Sequence, residues 1–411
     1  MVVAPCQLLY RGISDLFTMD SGIPEAPRSD QLGTMKIVQD AAVVVDNGVV
    51  TAVGAADEIE VAYSAEKTVD LGGRILVPGL IDAHTHPAFV VGRAEEFDWR
   101  AAGRSYVEIA EQGGGILSSV EAVREASEEQ LAIKVAEHFR RMQQCGTVAC
   151  EAKSGYGLTV EDELKSLRAI RTAATETGME VFPTFLGAHT IPQEHHDQPD
   201  RWLDILCAEG LPAAKEAGLA RAADVFIEDH AFNLKRAERY LLRAKELGFA
   251  LRVHADQFEA LGGVEAAVEL QAESVDHLEA LTDSGLSALA TASNTFAGLL
   301  PAVPHFLRQD GDAPARKLLQ AGVPWFVATD FNPGSCYTAS LLEAAHFARV
   351  RLRLSALETL AGMTVNAAHS LGAGDRLGRI APGFAAKFTI LQIPDIYHFG
   401  YSFGENYASS L

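Results

Sequence analysis

Residues 74–86, Arg74-Ile-Leu-Val-Pro-Gly-Leu-Ile-Asp-Ala-His-Thr-His86, decide the fold. A short apolar run stops at two histidines, His84 and His86. Residues two apart on a strand point to the same face, so both imidazoles can be offered to one ion. The same texture recurs along the chain: GTVACEAKSG (146–155), MEVFPTFLGAH (179–189), ADVFIEDH (223–230), FALRVHADQ (249–257), ESVDHL (273–278), SNTFAGLLP (293–301) and VPWFVATDFNPG (323–334). Between these runs lie helical patterns such as VEAVREASEEQLAIKVAEHFRRMQQCG (120–146) and RAERYLLRAKELG (236–248).

Regular strand–helix alternation predicts a parallel sheet in an α/β fold. Eight such units over about 290 residues fit a closed (β/α)8 TIM-type barrel. The runs end in chemically capable residues: His84 and His86, Lys153, His189, Glu228, His254, His277 and Asp330. In a (β/α)8 barrel all strand C-termini meet at one face, where active sites lie. Core histidines scattered at random would not collect at those ends.

The flanks read differently. MKIVQDAAVVVDNGVVTAVG (35–54) has β-branched runs broken by Asp-Asn-Gly, a hairpin signal. GRIAPGFAAKFTILQI (378–393) has a similar texture. The expected organisation is a small β-sandwich domain built from residues 1–74 and 376–411, flanking a barrel over 75–375.

With 48% hydrophobic and 22% charged residues among 411, the chain can bury a large core. It has no apolar run of about 18 residues and no basic N-terminal region, so no membrane contact and a cytoplasmic location are expected. A net charge of −21 argues against nucleic acid, which calls for clustered Lys and Arg. The five cysteines include no CxxC pair, so neither a disulfide framework nor a thiolate zinc site is expected.

The chemistry gathers on a few residues. His84, His86, His254 and Asp330 make a three-histidine, one-carboxylate set that suits zinc, iron or manganese. A water held there is acidified toward neutral pH, and Asp330 can take its proton. His277 is expected beside the water or the developing oxyanion, a fifth ligand role being the alternative. Asp276 is a candidate to orient a histidine, although strand alternation points its side chain away from His277. Arg93 suits bidentate carboxylate binding. Tyr156, His189 and Asn332 sit in adjoining strand-end segments.

These motifs resemble the imidazolonepropionase family of the amidohydrolase superfamily. The matching stretches are PGLIDAHTHPAFVVGRAEEF, SYVEIAEQGGGILSSVEAVREAS, EAKSGYGL, FLGAHTIP, HADQFEALGG, VDHLE, ATDFNPGS and TVNAAHSLG. The HxH pair marks only the superfamily; QGGGIL, KSGYGL and TDFNPGS are narrower. The resemblance implies a single catalytic ion, zinc or iron, on His84, His86, His254 and Asp330. It implies a small-molecule substrate, 4-imidazolone-5-propanoate, opened by hydrolysis to N-formimino-L-glutamate. It also implies that Arg93, Tyr106, Tyr156 and His189 contact substrate, that His277 sits by the attacking water, and that Asn332 faces the ring.

Two positions depart from the common pattern. Gln257 stands where many members carry Glu, and an amide cannot exchange a proton at neutral pH. It is expected to hydrogen-bond substrate, leaving proton transfer to Asp330 and His277. Lys387 replaces a frequent Asp in the C-terminal segment, with a structural effect expected. Lys153 is expected to be an ion-paired amine, not a carbamate bridging two metals. A homodimer stays open, because many barrels of this kind pair and no interface is legible. The rival readings are another cyclic amidase or a heterocycle deaminase, against which Gln257 argues, and a non-catalytic barrel, against which the four intact ligands argue.

Overall fold

The structure is a computed structural model that describes residues 3–104 and 114–411. Two sheets carry the architecture. The first is built by the chain ends. Its strands are β1 (Ala4–Phe17), β2 (Ile37–Asp46), β3 (Val49–Ala55), β4 (Tyr63–Pro78), β13 (Phe388–Leu391) and β14 (Ala408–Ser410). Their order is β14-β13-β4-β1-β2-β3. The β2–β3 hairpin turns at Asn47 and Gly48, with φ of 51° and 74°. Both residue types tolerate the left-handed conformation that such a turn demands. β13 runs antiparallel to β4, pairing Phe388 with Pro78 and Leu391 with Ile75, so the C-terminal segment locks onto the N-terminal one.

The second sheet has eight strands. They are β5 (Leu80–Asp82), β6 (Thr147–Lys153), β7 (Glu180–Ala188), β8 (Ala222–Phe226), β9 (Ala250–Ala255), β10 (Ser274–His277), β11 (Phe296–Leu299) and β12 (Trp325–Val327). Neighbours pair in parallel in sequence order. The barrel closes beyond β5 and β12, where Thr85 bridges Phe331 in parallel. The buried Asp82 carboxylate seals that seam, accepting from Thr329 N at 3.0 Å and from Thr329 Oγ1 at 2.6 Å.

The run from Arg74 to His86 therefore serves both sheets. Arg74–Pro78 finishes β4, and only Leu80–Asp82 enters the barrel. The handover falls at Gly79, where a Cβ would press to 2.7 Å from Val148 Cγ1.

Helices cover the barrel, and several are begun by a local capping signal. Ser127 caps the helix Glu128–Gln144 with Gln130 completing a capping box. Thr159 and Asn233 cap Val160–Thr177 and Leu234–Glu246. Their apolar faces, such as Leu131, Val135, Phe139 and Met142, pack in the main core. No helix among the described residues is long and apolar enough to cross a membrane.

Candidate metal centre and substrate pocket

Four donor atoms converge at the C-terminal mouth of the barrel. His84 and His86 leave β5, His254 ends β9, and Asp330 lies three residues past β12 with φ of 53°. His86 Nε2 lies 3.2 Å from His84 Nε2, 3.2 Å from His254 Nε2 and 3.2 Å from Asp330 Oδ1. His84 Nε2 is 3.4 Å from the same Asp330 oxygen. All four side chains are buried.

The tautomers follow from the partners. His84 Nδ1 donates to Asp276 Oδ2 at 2.7 Å, and His254 Nδ1 donates to Asp224 Oδ1 at 3.0 Å. A carboxylate only accepts, so each neutral ring turns a bare Nε2 lone pair toward the same point. Lone pairs aimed at one another in a dry site call for a cation. Tetrahedral donors about 2.0–2.1 Å from a zinc ion lie about 3.3–3.4 Å apart, close to the four spacings of 3.2–3.4 Å given above. Burial, then Lys153, pull His84 down, but Asp276 and Asp330 outweigh them and raise it to about 9. Burial holds His254 down at about 4 and His86 well below its ordinary value.

His277 also reaches this centre. Its ring centroid is 5.9 Å from that of His84 and 5.5 Å from that of His254. With His84 and His254 it forms a second group close enough to share an ion. Alternation predicted that Asp276 would point away from the site when His277 faces it. The structure corrects this: both side chains face it, because His277 and Leu278 adopt φ of 87° and 72°, and the strand's alternation ends at Asp276. Asp276 then reaches inward over Gly298, where a Cβ would come within 2.9 Å of its Cγ. Arg252 and His84 outweigh burial and hold Asp276 ionised.

Above the donors lies a cavity of about 490 Å³, whose lining includes His86, Arg93, Tyr156, His189, Gln257 and Asn332. Tyr106 lies outside the described residues. Arg93 crosses the face of Gly334 with a buried, unpartnered Nε. Its Nη1 is 3.7 Å from Glu96. His189 Nδ1 donates to Gly155 O at 2.8 Å, which leaves Nε2 for the cavity, and its ring stacks on His86 at 5.3 Å. Burial, then His254, keep His189 neutral, with its pKa at about 4. Asn332 is committed to its own loop: Nδ2 donates to Asp330 Oδ2 at 2.9 Å and to Ser335 Oγ at 2.7 Å, while Oδ1 accepts from the Gly334 and Ser335 amides. It thus braces Asp330 as well as lining the cavity.

The model of the amidohydrolase family matches residues 75–404. A Bacillus velezensis imidazolonepropionase is 40% identical, covering 97% of this chain and 94% of the relative. One from Bacillus cereus is 38% identical, covering 98% and 94%. The chain belongs to the amidohydrolase family, among the imidazolonepropionases. Solved structures share the fold at low identity: a zinc-bound adenosine deaminase from Xanthomonas campestris (TM-score 0.74, 18% identity, 99% of this chain and 91% of that one) and an E. coli guanine deaminase (TM-score 0.72, 14% identity, 94% and 89%).

Sequence reasoning missed several residues that shape the site. Glu163 is a buried carboxylate accepting from the amides of Gly155, Gly157 and Leu158 at 2.7–2.8 Å. It folds the KSGYGL loop that presents Tyr156 and holds His189. Glu228, noted in the sequence as a polar strand-end residue but given no role there, folds the loop after His254 in the same way, accepting from Phe258 N and Glu259 N at 3.1 Å each. Asp224 gave no motif signal, being an aspartate inside an apolar strand. That placement was itself the available clue, since a charge in a strand core needs a partner.

Proposed function

We propose that the chain hydrolyses 4-imidazolone-5-propanoate to N-formimino-L-glutamate, using one metal ion, zinc or iron, held by His84, His86, His254 and Asp330. The observation that carries this reading is the convergence of three Nε2 atoms and one carboxylate oxygen beneath a cavity that also holds Arg93. Such an ion supplies an acidified water and polarises the ring carbonyl.

The rest is the work of side chains. Arg93 receives the propionate carboxylate, with help from Tyr156 or Tyr106, and so fixes the ring. Water adds to the ring carbonyl carbon while Asp330 takes its proton. His277, close to His84 and His254, donates to the developing oxyanion. The ring C–N bond then breaks, the nitrogen regains a proton, and the former carbonyl leaves as a second carboxylate. Gln257 and His189 hydrogen-bond the ring, Gln257 with no part in proton transfer. Asn332 keeps Asp330 turned to its task through Oδ2.

The test is loss of the ultraviolet absorbance of freshly generated 4-imidazolone-5-propanoate. Native protein, His254→Ala and chelator-treated protein are run side by side. Decay in native protein alone, with formiminoglutamate as product, is expected. No decay above the spontaneous rate in metal-replete protein overturns the substrate.

A further inference from the structure

Beneath the donors, and outside the substrate cavity, lies a knot of buried charge centred on Lys153. The side chain has no solvent exposure. Its Nζ donates to Asp224 Oδ2 at 2.6 Å and to Glu151 Oε1 at 2.8 Å. Each carboxylate passes the contact on to the metal centre. Asp224 uses its other oxygen to accept from His254 Nδ1 at 3.0 Å. Glu151 uses its other oxygen to accept from Thr85 N at 3.2 Å, the one residue between His84 and His86. Thr85 Oγ1 returns a bond to the Glu151 carbonyl. One ammonium is therefore two hydrogen bonds from all the ligand-bearing segments that supply histidine.

Barrel closure does not explain this knot. Buried ion pairs are often matched or bettered for stability by apolar side chains of similar volume, so a buried cation held only for stability is a poor design. Position explains it better. A metal-ligating histidine aims its lone pair only while its other nitrogen is held, and the group that holds it must itself be held. His86 shows the contrast: its Nδ1 is buried with no hydrogen-bond partner, so no carboxylate behind it holds the ring, which is placed by the backbone beside Thr85 and by stacking on His189.

We infer that Lys153 is a positioning residue for the metal centre, acting as an unmodified ammonium that orients His254 through Asp224 and the His84–His86 segment through Glu151. This rests on the ligand set proposed above. A carbamate at Lys153 would carry negative charge between two carboxylates it now neutralises, and would lose both donated bonds.

The test uses full-length protein and zinc, with a chromophoric chelator competing for the ion. Lys153→Met is expected to bind zinc 10- to 100-fold more weakly, the usual effect of losing such support. The double variant Glu151→Gln, Lys153→Met removes one charge of each sign at near-constant volume, and stands in if the single variant does not fold. The cobalt-loaded variant is expected to show a changed visible spectrum, which reports ligand geometry and which general destabilisation would not alter. Zinc affinity within twofold of native with an unchanged cobalt spectrum overturns the inference. So does a carbamate signal, by carbon NMR of native protein loaded with labelled bicarbonate, that Lys153→Met abolishes. His254→Ala separates the two readings. If it loses zinc while Lys153→Met keeps it, only the role of Lys153 falls; if it retains native affinity, the ligand set falls as well.

Discussion

Replacing Gly334 by Ala isolates substrate orientation from folding. The Gly334 backbone does not have positive φ, so an alanine fits the chain there. What it meets is the Arg93 guanidinium: the new Cβ would lie 2.7 Å from Nε, with deeper overlap at the outer atoms. Ordinary contact needs about 3.5 Å, so the guanidinium must move by about 1 Å at Nε and further at its tip. That tip is the end of a flexible side chain, and it can swing aside with little cost to the fold. Function is less forgiving. A charge-assisted hydrogen bond contributes about 1.5–3 kcal/mol, and misalignment weakens it steeply. Losing most of a two-bond clamp removes about 2–4 kcal/mol, a fall of about 30- to 1,000-fold in kcat/KM. The assay is kcat/KM on 4-imidazolone-5-propanoate beside thermal melting of the same preparations. We expect native-like melting with the activity largely lost. Activity within twofold of native would refute the assignment of the substrate carboxylate to Arg93; a collapsed melting temperature would refute the claim that only Arg93 fills the space.

Three further outcomes follow from the same geometry. Glu163→Gln keeps the shape but turns an amide NH2 toward backbone N–H groups, so we expect a stability loss of about 2 kcal/mol in urea denaturation and a raised KM as the Tyr156 loop loosens. Asp256 is pushed up to about 7 by burial, then by Glu265 and Glu228. Its folded pKa lies above the unfolded value, so the folded state binds more protons between about pH 4 and 7, and stability falls as pH rises through that window. Asp256→Asn should therefore raise the melting temperature more at pH 8 than at pH 5; an equal shift at both would refute this. Chelation should lower the melting temperature and restored zinc should recover it, since an ion at 100-fold its Kd contributes about 2.7 kcal/mol; an unchanged melting curve would argue against a bound ion in the native protein.

Much of the architecture was legible because it is local. The eight apolar runs correspond to the eight barrel strands, and the Asp-Asn-Gly turn lies at the β2–β3 hairpin. His84 and His86 share a face because a strand has a period of two. His254 and Asp330 drew attention because parallel barrels bring all strand ends to one mouth.

The supporting charges were not legible, and the reason is distance along the chain. Asp276 reaches His84 across 192 residues and Lys153 reaches Asp224 across 71. Nothing local marks such pairs; register makes them, as where Asp276 lies beside His254 in the β9–β10 pairing. Backbone angle decided the rest. A period-two rule places Asp276 and His277 on opposite faces, but φ of 87° at His277 turns both inward. The 74–86 run reads as one strand because its hydrophobicity is continuous, yet closing the barrel against Val148 at Gly79 divides it between two sheets. Composition and periodicity by themselves determined that there is a barrel and which polar residues stand at its strand ends. Tertiary packing decided how those ends are held, because a lone pair is aimed by the group behind it, and that group comes from another strand.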